Sequence, residues 1–156
     1  MNYESLNELT LRDKLSEWYQ SPLGETVYAE EMSKLEEILP RIFGYHILQF
    51  GYCAELNYLK ASRISNKTIL FLENSEFKKD IKKAIRTNAE ELPNAMDSVD
   101  ALILPHVLEF STDPHKLLRE IERVLICEGY VVFIGINPFS LWGLWHLIFC
   151  WWNRMP

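Results

Sequence analysis

The stretch "SVDALILP", from Ser98 to Pro105, decides the fold. Its apolar residues are nearly continuous and do not alternate with polar ones, so we expect a strand that is buried on both faces. Two further runs have this character, "KTILFLE" at Lys67–Glu73 and "YVVFIGI" at Tyr130–Ile136. Tyr45–Phe50 and Arg86–Asn88 are the other strand candidates. Buried strands of this kind are typical of parallel sheets covered on both sides.

Helical patterns separate these strands. One helix is predicted to begin at Asp113-Pro114, with Asp at the N-cap and Pro at the first helical position. It is predicted to end at Glu128-Gly129, where the glycine would adopt the left-handed backbone conformation that follows many helices. Further helices are predicted over Ala54–Ser62 and Phe77–Ile85. The alternation of strand and helix predicts the α/β class: a Rossmann-like, doubly wound, mostly parallel sheet of about five strands, with helices on both faces.

The 156 residues fit one domain. We divide it into an N-terminal helical cover (residues 1–40), a Rossmann-like core (41–137) and an apolar, tryptophan-rich tail (138–156). In the cover, a helix with an apolar stripe is predicted to begin near Gly24 and to end at Pro40.

Charge and cysteine content exclude several classes of function. The net charge of −6 disfavours nonspecific nucleic-acid binding, which needs a basic face. Cys53, Cys127 and Cys150 are far apart and form no CxxC motif, so we predict neither a disulfide framework nor a zinc site. No two histidines have metal-ligand spacing, and we predict no metal. The acidic, helical N-terminus differs from a signal peptide, which favours a cytoplasmic location.

The tail contains "LWGLWHLIFCWW", Leu141 to Trp152. This run is shorter than the roughly 20 residues that a membrane-spanning helix needs. Two interpretations stay open. The segment is either a helix that covers the sheet, or a contact with a membrane surface or a second copy of the chain through Phe139–Trp152.

Residues Asn88 to Leu144 resemble the class I S-adenosylmethionine-dependent methyltransferases. They read "NAEELPNAMDSVDALILPHVLEFSTDPHKLLREIERVLICEGYVVFIGINPFSLWGL", and the match is to the small-molecule, methyltransferase type 11 branch, whose members carry "HVLEH" and "DP" motifs. With the first two strands included, the resemblance covers about residues 43 to 145. It implies S-adenosylmethionine as the cofactor and a small-molecule methyl acceptor.

The resemblance also implies where the cofactor binds. The glycine-rich loop of the family matches "FGYCAE", in which Gly51 is the single glycine. The acid that binds the ribose hydroxyls matches Glu73, the pair near the adenine matches Asn88-Ala89, and Pro105 passes close to the cofactor.

The loop departs from the family pattern, because Tyr52, Cys53 and Ala54 stand where further small residues are expected. S-adenosylmethionine carries no pyrophosphate, so it does not need a complete anion-binding loop. A nicotinamide dehydrogenase does need GxGxxG, which is absent from this chain.

His106 and Glu109, just beyond the Ser98–Pro105 strand, are the candidate catalytic bases. A base helps methyl transfer only when the acceptor must lose a proton. The alternatives are a histidine bonded to nearby backbone and an exposed helix acid.

Only Asn137–Pro156 follow the last strand, so we expect the sheet to lack the C-terminal antiparallel hairpin of the family. A shortened chain, a natural truncation and an oligomer that covers the sheet edge are all compatible with this. A second hypothesis is supported by three features: the expected loss of the hairpin, the single glycine Gly51, and Asn88 in place of Asp. The chain would then be a non-catalytic, degenerate methyltransferase-like interaction module that oligomerises or binds a membrane surface through the tail.

Overall fold

A computed structural model describes residues 14–51, 56–72, 84–87 and 91–135 of the chain. Four helical segments are present in these ranges: residues 14–19 (α1), Pro22–Ile38 (α2), Val107–Phe110 (α3) and Pro114–Val124 (α4). A 3₁₀ turn, Leu39–Arg41, follows α2. The strands are His46–Gly51 (β1), Asn66–Leu72 (β2), Ala84–Thr87 (β3), Val99–Pro105 (β4) and Leu125–Ile134 (β5).

The five strands form one sheet in the order β3-β2-β1-β4-β5, and every neighbouring pair is parallel. This confirms the predicted α/β, doubly wound sheet. The chain winds outward from β1 to β3 and then crosses to the other side of β1 to form β4. The strand order therefore reverses between β1 and β4, and ligands of such sheets bind beyond the carboxyl ends of the strands at this switch point.

Both faces of the central strands are buried under helices, as predicted, whereas β5, predicted to be buried on both faces, is only partly buried. Leu48 and Leu102 lie in one apolar cluster with Leu117 of α4, and all three are almost completely buried. Ile47, which precedes Leu48, and Ile103, which follows Leu102, lie in a second cluster on the side of α2. Burial of each such side chain contributes about 1.5–3 kcal/mol, which is why the strands read as continuous apolar runs.

A tight junction joins α1 to α2. The Ser21 hydroxyl donates to the Trp18 carbonyl (2.6 Å) and accepts from the Gly24 amide (3.1 Å), which makes Ser21 the N-cap of a helix that begins at Pro22. A Cβ at Gly24 would lie 2.1 Å from the Trp18 carbonyl oxygen, so only glycine allows this approach. The junction holds Tyr19, which is 5% exposed, close to α2.

The predicted end of α4 at Glu128-Gly129 is wrong. The helix ends at Val124 and β5 begins at once, because Leu125 and Tyr130 pair with β4 residues only two positions apart, across a bulge. The left-handed residue in this bulge is Glu128, with φ of 67°, and no described glycine has a positive φ. Gly129 is required for packing instead, since its Cβ would lie 2.6 Å from Leu125 Cγ.

The helix predicted over Ala54–Ser62 is also wrong for its described part, because residues 56–62 contain a turn at 58–61 and no helix. The buried Gln49 side chain of β1 holds this turn, donating to the Leu56 carbonyl (2.7 Å) and accepting from the Tyr58 amide (2.9 Å). Ile85, predicted as helical, lies in β3.

Much of the predicted N-terminal cover is described. Met32, Leu35 and Leu39 form the buried stripe of the cover, as predicted. Residues 1–13 and the tail, 138–156, lie outside the described residues. None of the helices in the described ranges is long and apolar enough to cross a membrane.

A charged clamp ties the segment before β4 to α4. The Arg123 guanidinium donates to the carbonyls of Asn94 (2.9 Å) and Leu92 (3.0 Å) and to the Glu120 carboxylate (2.8 Å). Glu120 also accepts from the Leu92 amide (3.2 Å). The Arg123 guanidinium holds the pKa of Glu120 below its ordinary value.

We expect Arg123→Met to lower the free energy of unfolding by about 1–3 kcal/mol, because two partly buried carbonyls and one carboxylate lose their donor. Urea unfolding measures the change, and Arg119→Met, an exposed arginine on the same helix, is the control. The difference from wild type should shrink as the pH falls through the lowered pKa of Glu120. Equal effects of the two substitutions would contradict the clamp.

Candidate active site

The carboxyl ends of β1 and β4 meet at the switch point. Gly51 ends β1 and Pro105 ends β4, and a Cβ at Gly51 would lie 2.8 Å from Pro105 Cγ. Glycine is therefore needed here for the close approach of two strand ends, whatever the ligand. The structure brings these two predicted cofactor residues together, whereas Glu73, Asn88 and Ala89 lie outside the described residues.

His106 follows β4 in a strained backbone conformation. Its φ of 53° and ψ of 26° are left-handed, and its amide donates to the carbonyl of Ile134 (2.7 Å), the last residue of β5. A non-glycine residue in this region costs about 1–3 kcal/mol, and such strain is concentrated at functional sites. The residue is only 4% exposed, so its ring has a defined position at the carboxyl edge of the sheet.

Four side chains, Tyr19, Glu31, Tyr58 and His106, form a buried polar network at this edge. The Glu31 carboxylate accepts hydrogen bonds from the hydroxyls of Tyr19 (3.0 Å) and Tyr58 (2.9 Å) and lies 3.2 Å from His106 Nε2. The Tyr19 hydroxyl oxygen is 2.5 Å from the same nitrogen. The ionised Glu31 carboxylate can only accept, so a proton on Nε2 is the arrangement in which the contact between Nε2 and Glu31 is a hydrogen bond.

The other ring nitrogen, His106 Nδ1, faces a second carboxylate. It is buried and has no hydrogen-bond partner among the described residues, and Glu109 Oε1 lies 3.6 Å away, beyond hydrogen-bond distance. A Cβ at Gly135 would lie 2.7 Å from that oxygen, so the glycine after β5 leaves room for the carboxylate. The structure thus brings the two predicted catalytic residues, His106 and Glu109, together.

The two carboxylates decide the charge of the ring. Burial is the largest influence and lowers the pKa of His106, but Glu109 and Glu31 together outweigh it and raise this pKa to about 9. At neutral pH the ring is an imidazolium. Burial, reinforced by Tyr19 and Glu31, raises the pKa of Tyr58, so its hydroxyl remains a donor.

Sequence reasoning missed Tyr19, Glu31 and Tyr58. A signal for Glu31 was present, because it lies three residues after Tyr28 and four before Leu35, on the apolar face of α2. An acid on a buried helix face needs partners, and this acid finds them in a histidine 75 positions away. Within the described part of the chain, no three His, Cys, Asp or Glu side chains are arranged to hold a metal ion.

We expect Glu31→Gln to lower the pKa of His106 from about 9 by at least about one unit, because a nearby opposite charge is removed. Nuclear magnetic resonance of the ¹⁵N-labelled histidine rings measures this pKa. Glu30→Gln, a neighbouring exposed acid on the same helix, is the control and should leave the pKa unchanged. A His106 ring that titrates near 6.5 in the wild-type protein would contradict the network.

The same pKa predicts how stability depends on pH. The pKa of His106 is raised from its ordinary 6.5 to about 9 on folding, so the stabilisation is fully present below pH 6.5 and is lost as the pH rises through 9. The change from 6.5 to about 9 corresponds to at most about 3.4 kcal/mol. The difference in unfolding free energy between wild type and Glu31→Gln should therefore shrink over this window.

Comparison with known proteins identifies the family. The family model for the methyltransferase domain matches residues 50–133, which run from the end of β1 into β5 and include Gly51, Pro105, His106 and Glu109. The uncharacterized protein YafS of Escherichia coli is 33% identical over 132 residues, which cover 84% of this chain and 52% of YafS. The chain thus spans about half the length of this relative.

Solved structures show the same fold. An S-adenosylmethionine-dependent methyltransferase of Thermotoga maritima aligns with a TM-score of 0.65 at 17% identity, over 87% of this chain and 63% of its own. One from Aquifex aeolicus aligns with a TM-score of 0.56 at 16% identity, over 91% and 86% of the two chains. The family-model match covers more than half of the chain, in agreement with the resemblance drawn from Asn88–Leu144, and the chain belongs to the methyltransferase domain family.

Proposed function

We propose that the protein is an S-adenosylmethionine-dependent methyltransferase that acts on a small-molecule acceptor in the cytoplasm and not on nucleic acid. The observation that carries this proposal is the family match over a parallel sheet whose switch point is formed by Gly51 and Pro105. The buried network at the end of β4 supplies polar groups at the same edge.

The proposed cofactor site lies at the end of β1, where Gly51 lets the backbone lie close to Pro105 of β4. Two carboxylates, Glu31 and Glu109, face the His106 imidazolium at the same edge of the sheet. Gly51 and Pro105 would contact the cofactor, which supplies an electrophilic methyl group when bound. By family resemblance, Glu73 would hold the ribose hydroxyls and Asn88-Ala89 would lie at the adenine.

The work of the chain's own residues is chiefly to position the acceptor. Holding a nucleophile in line with the methyl group can contribute roughly 7–11 kcal/mol. His106, with a pKa of about 9, carries its proton at neutral pH and could act as a base only in alkaline solution. We therefore propose Glu109, rather than His106, as the base for an acceptor that must lose a proton.

Isothermal titration calorimetry with S-adenosylmethionine and S-adenosylhomocysteine tests the proposal, and both should give saturable heats. Substitution of Gly51 would disturb Pro105 as well as any ligand, so the variant of choice is Glu73→Gln. It should weaken binding about 10- to 100-fold through loss of charge-assisted hydrogen bonds, whereas Glu76→Gln, three residues further along, should not. Absence of heat at millimolar ligand with folded protein would refute the proposal.

A second function, the non-catalytic interaction module, is favoured by one observation. β5 is the edge strand of the described sheet, and its Tyr130 and Phe133 are 54% and 47% exposed. An open edge with exposed aromatic residues favours pairing with a second copy. The predicted contact segment Phe139–Trp152 lies outside the described residues.

This alternative predicts self-association or binding to lipid. Size-exclusion chromatography with light scattering should then show an oligomer, or liposome flotation should carry the protein to the top of the gradient. A monomer that does not float would contradict the alternative.

A further inference from the structure

One polar atom at the candidate site has a charge partner at 3.6 Å, Glu109 Oε1, but no hydrogen bond. His106 Nδ1 is buried and makes no hydrogen bond within the described part of the chain, although the ring is held firmly through Nε2 by Glu31 and Tyr19. A buried polar atom without a partner costs about 1–3 kcal/mol, and natural proteins keep few of them. This atom therefore calls for a ligand.

The geometry identifies Nδ1 as a donor. Nε2 already carries a proton, and a neutral ring would turn the lone pair of Nδ1 toward the Glu109 carboxylate, 3.6 Å away. That arrangement is repulsive, whereas an Nδ1–H group is attracted to the carboxylate. Among the described residues, the charged and titratable groups that contact the ring are Glu31 on α2, Glu109 on α3 and Tyr19 on α1, and Tyr58 in the 58–61 turn bonds to Glu31.

The group opposite Nδ1 is partly exposed. Glu109 approaches the ring without reaching hydrogen-bond distance, its side chain is 29% exposed, and it sits on a helix of only four residues. An anionic oxygen from the chain thus occupies the position where a ligand with the same chemistry would form a shorter, charge-assisted hydrogen bond.

We propose that the Nδ1–H group of His106 binds an anionic oxygen of the methyl acceptor, a carboxylate or a phenolate, in the place that the Glu109 carboxylate holds in this structure. The proposal rests on the proposed function and specifies its substrate class as small organic acids. His106 is the acceptor-binding residue, and Glu31 is a positioning residue that fixes the ring through Nε2.

Two consequences distinguish this from a basic role for His106. Where the bound anionic oxygen is itself the methylated atom, it has no proton to lose, so methyl transfer to it needs no base. Binding of the anion must also weaken as the pH rises through about 9, where the pKa of His106 lies and the ring loses its positive charge.

The test follows the His106 ring by nuclear magnetic resonance in the full chain labelled with ¹⁵N-histidine, with its signals assigned through His106→Gln. Benzoate and 4-nitrophenolate are the anionic probes, and benzamide is the neutral counterpart of benzoate. At pH 7.5 at least one anion should shift the Nδ1 signal saturably, while benzamide should bind at least about tenfold more weakly. No shift with either anion at millimolar concentration, or an equal effect of benzamide, would overturn the proposal.

Glu109→Gln provides a second measurement. It removes a competing charge about 4 Å from the ring but also lowers the pKa of His106, so affinities are compared for the charged ring, whose fraction the same spectra give. That affinity for the effective anion should rise roughly fivefold. Glu122→Gln, an exposed acid on α4, is the matched control and should leave the affinity unchanged. An unchanged affinity in Glu109→Gln would contradict displacement of this carboxylate.

The cofactor also has a carboxylate, so the titrations are repeated with saturating S-adenosylhomocysteine. The proposal predicts that the anion still binds. If S-adenosylhomocysteine itself shifts the Nδ1 signal and blocks the anion, the oxygen belongs to the cofactor and the acceptor assignment is overturned. Failure of the methyltransferase proposal is distinct, since it would appear as no calorimetric binding of S-adenosylhomocysteine.

Discussion

A carboxylate that leaves water must find partners, and the Glu31 carboxylate finds three of them at the carboxyl edge of the sheet. It accepts from Tyr19 and Tyr58 and pairs with His106. These contacts join the N-terminal helices, the turn after β1 and the end of β4. This largely buried carboxylate thus links the cover to the switch point and, together with Glu109, gives His106 its positive charge.

The sheet itself was largely predictable, because each strand carries its own signal. The apolar run of Ser98–Pro105 is buried on both faces, as a central parallel strand requires. Asp113 caps α4 and Pro114 starts it, which are local preferences that act without tertiary contacts. Residue patterns of this kind suffice for strand and helix positions, and the parallel topology follows from their alternation.

The features that sequence reasoning missed depend on contacts distant in the chain. Residues 56–62 form no helix because the Gln49 side chain on β1 hydrogen-bonds to the Leu56 carbonyl and the Tyr58 amide. Glu128, and not the predicted Gly129, has the left-handed backbone conformation, because pairing with β4 places a bulge at this point of β5. Glu31 acquires its role from His106, and no spacing within α2 could have indicated that partner.

The central claim is that the carboxyl edge at Gly51 and His106 is a cofactor site. Backbone amide chemical shifts, recorded during titration with S-adenosylhomocysteine, test it most directly. The account predicts that the largest changes occur at Gly51, His106 and neighbouring residues of the β1 and β4 ends, with little change at His46 on the opposite edge. Changes centred on the opposite edge, or none at saturating ligand, would contradict it.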